Sequence, residues 1–317
     1  MPHWLIKAGI HRVISWLPNS TAWNELFQQY VTRSIVLTTQ QFQAKLEESQ
    51  RYFELMRRHA PAGETGFITL EVGTGWYPTI PISLYLCGAA ATWTFDIDSH
   101  LCRQRLTHLL DFFIAHDKAN LLTQHLPGAM KNRLANLEKL RPLADQETPA
   151  AWLKRLDIHC AVRDARHTGL QAGAIDFIFS SGVLEYIPPV ILKELLQEFH
   201  RVAAPAAVMV HRLNLVDQFA YFDKSLSPFN HLKYTERQWR WRSSPLIWQN
   251  RIRLSDYRRL LKETGFTIKS EDNTFGTKAE LERVKLSPEF QHYSLEDLLV
   301  LHSLLVAVRA APPASAA

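Results

Sequence analysis

LEVGTGWYPTIPISLYL, residues 70–86, decides the fold. The apolar run that starts at Phe67 reads as a short strand ending at Val72. Gly73 and Gly75 then let the backbone turn sharply and leave room for a ligand at the strand's carboxyl end. The apolar residues after Pro78 suit a helix packed on a sheet. Glu71 stands two positions before the first glycine.

The same rhythm repeats along the chain. ATWTFDI (91–97), LDIHCAV (156–162), AIDFIFSS (174–181) and AAVMVH (206–211) read as further strands. Helical patterns lie between them. PPVILKELLQEFHRV (188–202) has Pro189 suited to a first helical turn, with Leu192, Leu195, Leu196, Phe199 and Val202 on one face. SDYRRLLKETGF (255–266) is another helix, with Ser255 as its expected N-cap and Gly265 as its stop. TIKSED (267–272) and SLLVAVR (303–309) complete a set of seven strands. Strands alternating with helices predict an α/β fold, a doubly wound, mostly parallel sheet covered on both faces.

Two segments stand outside that rhythm. Residues 1–63 read as a helical cap. Ile6, Ile10, Val13, Ile14 and Leu17 share one helix face; Pro18 to Ser20 break it; Ser20 or Thr21 can cap the next helix; Leu46, Phe53 and Met56 lie on a third. The interval from Arg103 to Leu156 is too long for a simple crossover, and its periodic Leu, Phe and Trp mark it as an inserted helical lobe. The expected division is a cap at 1–63, a sheet domain at 64–309 with the insertion at 103–156 and a covering segment at 211–250, and a frayed small-residue tail at 310–317.

Composition narrows the function. The chain has 317 residues, 46% hydrophobic and 21% charged, with a formal charge of +5. That is globular composition. The Lys and Arg residues are dispersed rather than gathered in a stripe, so no nucleic-acid partner is expected. Arg237 to Arg242, interleaved with Trp239 and Trp241, is the densest basic stretch and reads as a surface segment. Three separated cysteines, Cys87, Cys102 and Cys160, fit a reducing cytoplasm rather than a disulfide framework. No run of about 20 apolar residues is present for a membrane span. The fourteen histidines show no HxH or HExxH spacing, so no metal is expected.

Asp96, in TFDID, ends the second strand 21 positions after Gly75. An acid there in a doubly wound sheet accepts from both hydroxyls of a ribose. Asp98 lies two positions on. Together with the glycine pair this points to an adenosine ligand. A dinucleotide fingerprint wants a third glycine to seat a pyrophosphate on a helix N-terminus. Here that position is Pro78, beside Trp76 and Tyr77. Aromatic faces and carboxylates suit a cationic sulfonium better.

LEVGTGW resembles the first motif, E/D-x-G-x-G, of class I S-adenosylmethionine-dependent methyltransferases. TFDID resembles their ribose-binding strand end, and RDA (163–165) the acid after their third strand. AIDFIFSSGVLEYIPP (174–189) resembles their fourth-strand motif, and RLLKETGF (259–266) the helix leading to their sixth strand. The motifs run in the family's order over residues 67–275. Where the family often has a third glycine, this chain has Tyr77. The resemblance implies a Rossmann-like methyltransferase fold with S-adenosylmethionine as cofactor. It implies Glu71, Gly73 and Gly75 around the methionine, Asp96 at the ribose, Asp164 and Ala165 at the adenine, and Ser181 and Gly182 near the reacting methyl.

The acceptor side is expected in residues 211–241, rich in aromatic, His, Asp and Asn residues. His211, at the end of the fifth strand, is the leading candidate base, with Glu185 behind it. Asp217, Tyr221 and Asp223 are the candidate substrate contacts. The expected activity is methylation of a small molecule at O, N or C. The alternatives are a nicotinamide-dependent oxidoreductase on a similar sheet and a non-catalytic module that keeps the fold. A further variant rests the first helix, with Trp4, Lys7, Arg12 and Trp16, on a membrane surface.

Overall fold

In a computed structural model, residues 36–60, 65–243 and 248–310 are described. The helix expected at Ile6–Leu17, the caps at Ser20 and Thr21, the membrane-facing variant and residues 311–317 lie outside them.

Seven strands form one sheet in the order β3-β2-β1-β4-β5-β7-β6. They are β1 Ile68–Val72, β2 Ala91–Asp96, β3 Ile158–Val162, β4 Ile175–Ser181, β5 Ala203–Asn214, β6 Phe266–Phe275 and β7 Val300–Arg309. β1 to β5 pair in parallel, and β7 runs antiparallel between β5 and β6. The fold is therefore the doubly wound, mostly parallel α/β sheet that the alternating pattern predicts. β1 and β4 are central and buried on both faces, which is why their sequences are nearly continuous apolar runs. Period-two alternation divides β4. Phe177 and Phe179 enter one core layer and Ile178 the other.

Eight helices carry those layers here. α1 Thr39–His59, α2 Thr79–Leu86 and the insertion helices α3 Arg103–Lys118, α4 Leu122–His125, α5 Lys131–Leu140 and α6 Pro149–Lys154 join the layer on the Phe177 side. α7 Pro189–Val202 and α9 Leu254–Glu263 join the layer on the Ile178 side. α8 Glu236–Arg242 belongs to a small lobe in which Trp239 packs with Phe219 and Tyr234.

Local chemistry sets the helix ends. α1 begins in a capping box: the Thr38 hydroxyl accepts from the Gln41 N–H, and the Gln41 side chain accepts from the Thr38 N–H. Pro189 lies in the first turn of α7. Gly265 stops α9 with φ +86°. Ser255 is not the N-cap of that helix. Arg253 occupies the cap position, Asp256 accepts from its N–H at 3.2 Å, and Ser255 donates instead to Asp297 at 2.5 Å. The insertion is held by Trp152, fully buried, whose indole N–H donates to the Leu140 carbonyl at 2.9 Å.

Candidate active site

The turn after β1 has the backbone that only glycine adopts easily. Gly73 has φ +86° and Gly75 φ +62°. A Cβ on Gly73 would also lie 2.4 Å from Cγ2 of Val183, in the loop after β4. Gly73 therefore lets two strand-end loops meet.

Two cavities adjoin at this turn, and Thr74 and Gly75 line both. The smaller, about 230 Å³, lies at the carboxyl ends of β2 and β3. Asp96, Asp98 and His100 line one side, Cys160 to Val162 another, and Thr148 to Ala150 of the insertion close it. The larger, about 730 Å³, extends from Glu71 and Gly73 past Ser181 on β4 and Arg212 on β5 to Thr274 on β6 and His302 on β7. Its other wall is α1, through Lys45, Glu48, Arg51 and Tyr52. Trp76 lines it beside the turn, tilted against His100 at 4.2 Å and covered by the Arg105 guanidinium at 4.8 Å.

Asp96 reaches back across the strand gap. Its Oδ2 accepts from the Gly75 N–H at 3.0 Å and its Oδ1 from the Asp98 N–H at 3.3 Å. Each oxygen keeps a lone pair, so the carboxylate can still accept from a diol in the smaller cavity. Glu71 is buried, and its Oε2 accepts from the Thr94 hydroxyl at 2.8 Å. Burial is the main cause that pushes its carboxyl up to about 8. It lines the larger cavity with its carboxyl favoured in the protonated form by that burial.

Glu48 organises the opposite wall. Its Oε2 accepts from Lys45 at 2.7 Å, and its Oε1 accepts from the Ser181 hydroxyl at 2.6 Å and the Tyr52 hydroxyl at 3.0 Å. Lys45 also donates to Ser181 at 2.8 Å, and Arg212 stands 3.8 Å from Glu48. Burial raises the Glu48 carboxyl, but Lys45, Ser181 and Arg212 outweigh it, and the group stays below its ordinary value. It is a permanent anion that holds cations in place. The motif reading missed this wall. The signal was there, because positions 45, 48 and 52 fall at helical spacing on one stripe.

Of the residues expected from sequence, Glu71, Gly73, Gly75, Asp96 and Ser181 come together around the turn. Gly182, with φ +68°, follows Ser181. The structure places the others away from the two cavities. Asp164 and Ala165 line neither cavity. Asp164 caps its own short turn and pairs with Arg166 at 2.6 Å, and Ala165 is buried in the core. Residues 160–162 and the insertion line the smaller cavity instead.

His211 is 1% exposed and stacks on Phe199, because its side chain turns toward α7 rather than into the cavity. Its Nδ1 is bonded to the Ser180 hydroxyl at 2.8 Å, and burial drives its pKa down to about 3. The neighbouring Arg212 faces the cavity instead, as strand alternation requires. Glu185 is buried in the turn after β4, lines neither cavity, and is pushed up to about 8 by burial. Asp217 is a buried cap: it accepts from the Phe219 N–H and from Asn230, both at 2.8 Å. Asp223 closes a local turn with Ser225. Tyr221 does not line the cavity, but its hydroxyl bonds His302, which does, at 3.1 Å.

Residues 42–271 match the family model described as a methyltransferase domain. The chain belongs to that family. This methyltransferase has the fold and family that its motif order implies, and S-adenosylmethionine is the family's methyl donor. No curated protein matches it. Among solved structures it is similar to one from the complex between the Haloferax volcanii Trm112 methyltransferase activator and a methyltransferase, with 13% identity, 91% of this chain and 97% of that one covered, and TM-score 0.44. It is also similar to geranyl diphosphate C-methyltransferase from Streptomyces coelicolor (10% identity, 81% and 77% covered, TM-score 0.44). A third is a SAM-dependent methyltransferase from Methanosarcina mazei (13%, 81% and 98%, TM-score 0.44). Among the described residues of this methyltransferase no helix is long and apolar enough to cross a membrane, and no group of three or more His, Cys, Asp or Glu is arranged to hold a metal.

Proposed function

We propose that this chain transfers the methyl group of S-adenosylmethionine to a small molecule seated in the larger cavity. The observation that carries the reading is the meeting of two cavities at Gly73–Gly75, with the Asp96 carboxylate in the smaller one still able to accept from a diol. Asp96 holds the ribose. Cys160 to Val162 and Thr148 to Ala150 enclose the adenine, in place of Asp164 and Ala165. Glu71, Gly73 and Gly75 surround the methionine end. The bound cofactor supplies an electrophilic methyl on a sulfonium. The chain's own residues then bind and align, the main demand of an in-line transfer. α1 covers the cavity and limits water. Glu48 holds Lys45 and Ser181 in a fixed bracket between the two ends of the larger cavity. A cavity of about 730 Å³ falls within the usual range for small-molecule sites.

Calorimetry with S-adenosylhomocysteine tests this. The wild type binds it and does not bind NAD. Asp96→Ala weakens it by about 1–3 kcal/mol, the cost of leaving buried donors unpaired. Binding of NAD alone, or an unchanged affinity in Asp96→Ala, would overturn the assignment.

A further inference from the structure

We infer that the acceptor is a small oxyanion, a carboxylate or a phosphate ester, gripped at the far end of the larger cavity by Arg212 and Arg51. The inference rests on the methyl-transfer reading and deepens it.

Two guanidinium groups line that end without close partners. Among the described residues the Arg212 side chain makes no hydrogen bond, and its one ion pair, to Glu48, is long at 3.8 Å. Arg51 likewise has only Asp272, at 3.8 Å on the rim. A guanidinium carries five donors in a planar fork that matches a carboxylate or phosphate edge to edge. Both therefore keep donors for a ligand.

Their position separates them from the cofactor. Arg212 is on β5 and the glycine turn follows β1, with β4 between. Two strand spacings are about 10 Å. Lys45, over Ser181, stands between the two ends.

The other cavity groups fit a ligand that arrives already ionised. Glu48 is engaged by Lys45, Ser181 and Tyr52 and kept anionic. Glu71 lies at the cofactor end. Both nitrogens of His302 are engaged, by the Tyr221 hydroxyl at 3.1 Å and the Thr274 hydroxyl at 3.0 Å. Asp272 faces Arg51 and is largely exposed. Glu48 and His302 are thus already engaged by neighbours, whereas the two arginines keep unpaired donors for an anion.

The test uses the full chain saturated with S-adenosylhomocysteine. Small aromatic carboxylic acids, their primary amides and inorganic phosphate are titrated by calorimetry into wild type, Arg212→Gln and Arg51→Gln. The expected result is at least one acid binding tenfold or more tighter than its amide, or phosphate binding, with that preference lost in Arg212→Gln and reduced in Arg51→Gln. The variants' affinity for S-adenosylhomocysteine should stay within about twofold, which also reports that they are folded. Acids and amides binding alike with no phosphate binding, or an acid preference that survives both substitutions, would overturn the inference and leave the methyl-transfer reading standing. Failure of the wild type to bind S-adenosylhomocysteine overturns both.

Discussion

Glu71 is a buried acid on the wall of the larger cavity, where the proposed function seats the methionine end of the cofactor, and its chemistry is testable by itself. Its carboxyl ionises only near pH 8 because it is buried with the Thr94 hydroxyl as its one close donor. A ligand cation beside it would favour the ionised form. Binding of S-adenosylhomocysteine, which carries an ammonium group, is therefore expected to release a proton at pH 7. The binding enthalpy should vary with the ionisation enthalpy of the buffer at pH 7, where the ligand's ammonium is fully protonated. In Glu71→Gln the buffer dependence should vanish. A release of equal size in that variant would place the proton elsewhere. The same scale explains why His211 misled. Ser180 and His211 pair at the same level of β4 and β5, turned toward α7, while Ser181 and Arg212, one residue on, line the cavity.

α1 is the element that walls one side of the larger cavity. It contributes Lys45, Glu48, Arg51 and Tyr52 to the cavity and docks through an apolar stripe that includes Phe42 and Leu46, both fully buried. Phe42 meets Phe113 of the insertion edge-on at 4.9 Å. Removing that ring leaves a cavity, with a cost of about 3–5 kcal/mol. Phe42→Ala should lower the urea midpoint accordingly. It should also loosen the Glu48 bracket, so acceptor binding should suffer more than cofactor binding, which the proposed function assigns to the Gly73–Gly75 turn and Asp96. Equal loss of both would mean that α1 does not act as a separate wall. The insertion plays the matching role for the smaller cavity, because Thr148 to Ala150 close it.

Over the whole molecule, buried titrating groups shape stability from both sides of neutrality. Glu185 has an ordinary value of 4.5 and a folded value of about 8, so the folded chain must keep a proton that the unfolded chain has released. Its contribution is fully present below 4.5 and is lost as pH rises through about 8. Asp217, raised to about 6, acts in the same direction over a lower window. His211 falls from 6.5 to about 3, so its contribution is present above 6.5 and is lost as pH falls toward 3. Urea unfolding at pH 7, 8 and 9 should show stability falling as these raised carboxyls ionise. Glu185→Gln should flatten that fall. A Gln variant that loses stability between pH 7 and 9 as steeply as the wild type would rule Glu185 out as the source.

Local pattern alone determined the seven strands, the helices between them, the glycine turn and the acid one strand over. Each of these depends on residues close in sequence: period-two or period-3.6 apolarity, a positive φ, a strand end. The family followed from the order of those motifs. Only the tertiary structure decided which side chains face the cavity. Strand alternation turned His211 inward and Arg212 outward, and burial made Asp217 a cap rather than a contact. Helix packing brought Glu48 to Ser181 across 133 positions of sequence. A pocket wall built by docking a distant helix depends on the packed face of that helix, and no local spacing encodes where that face will land.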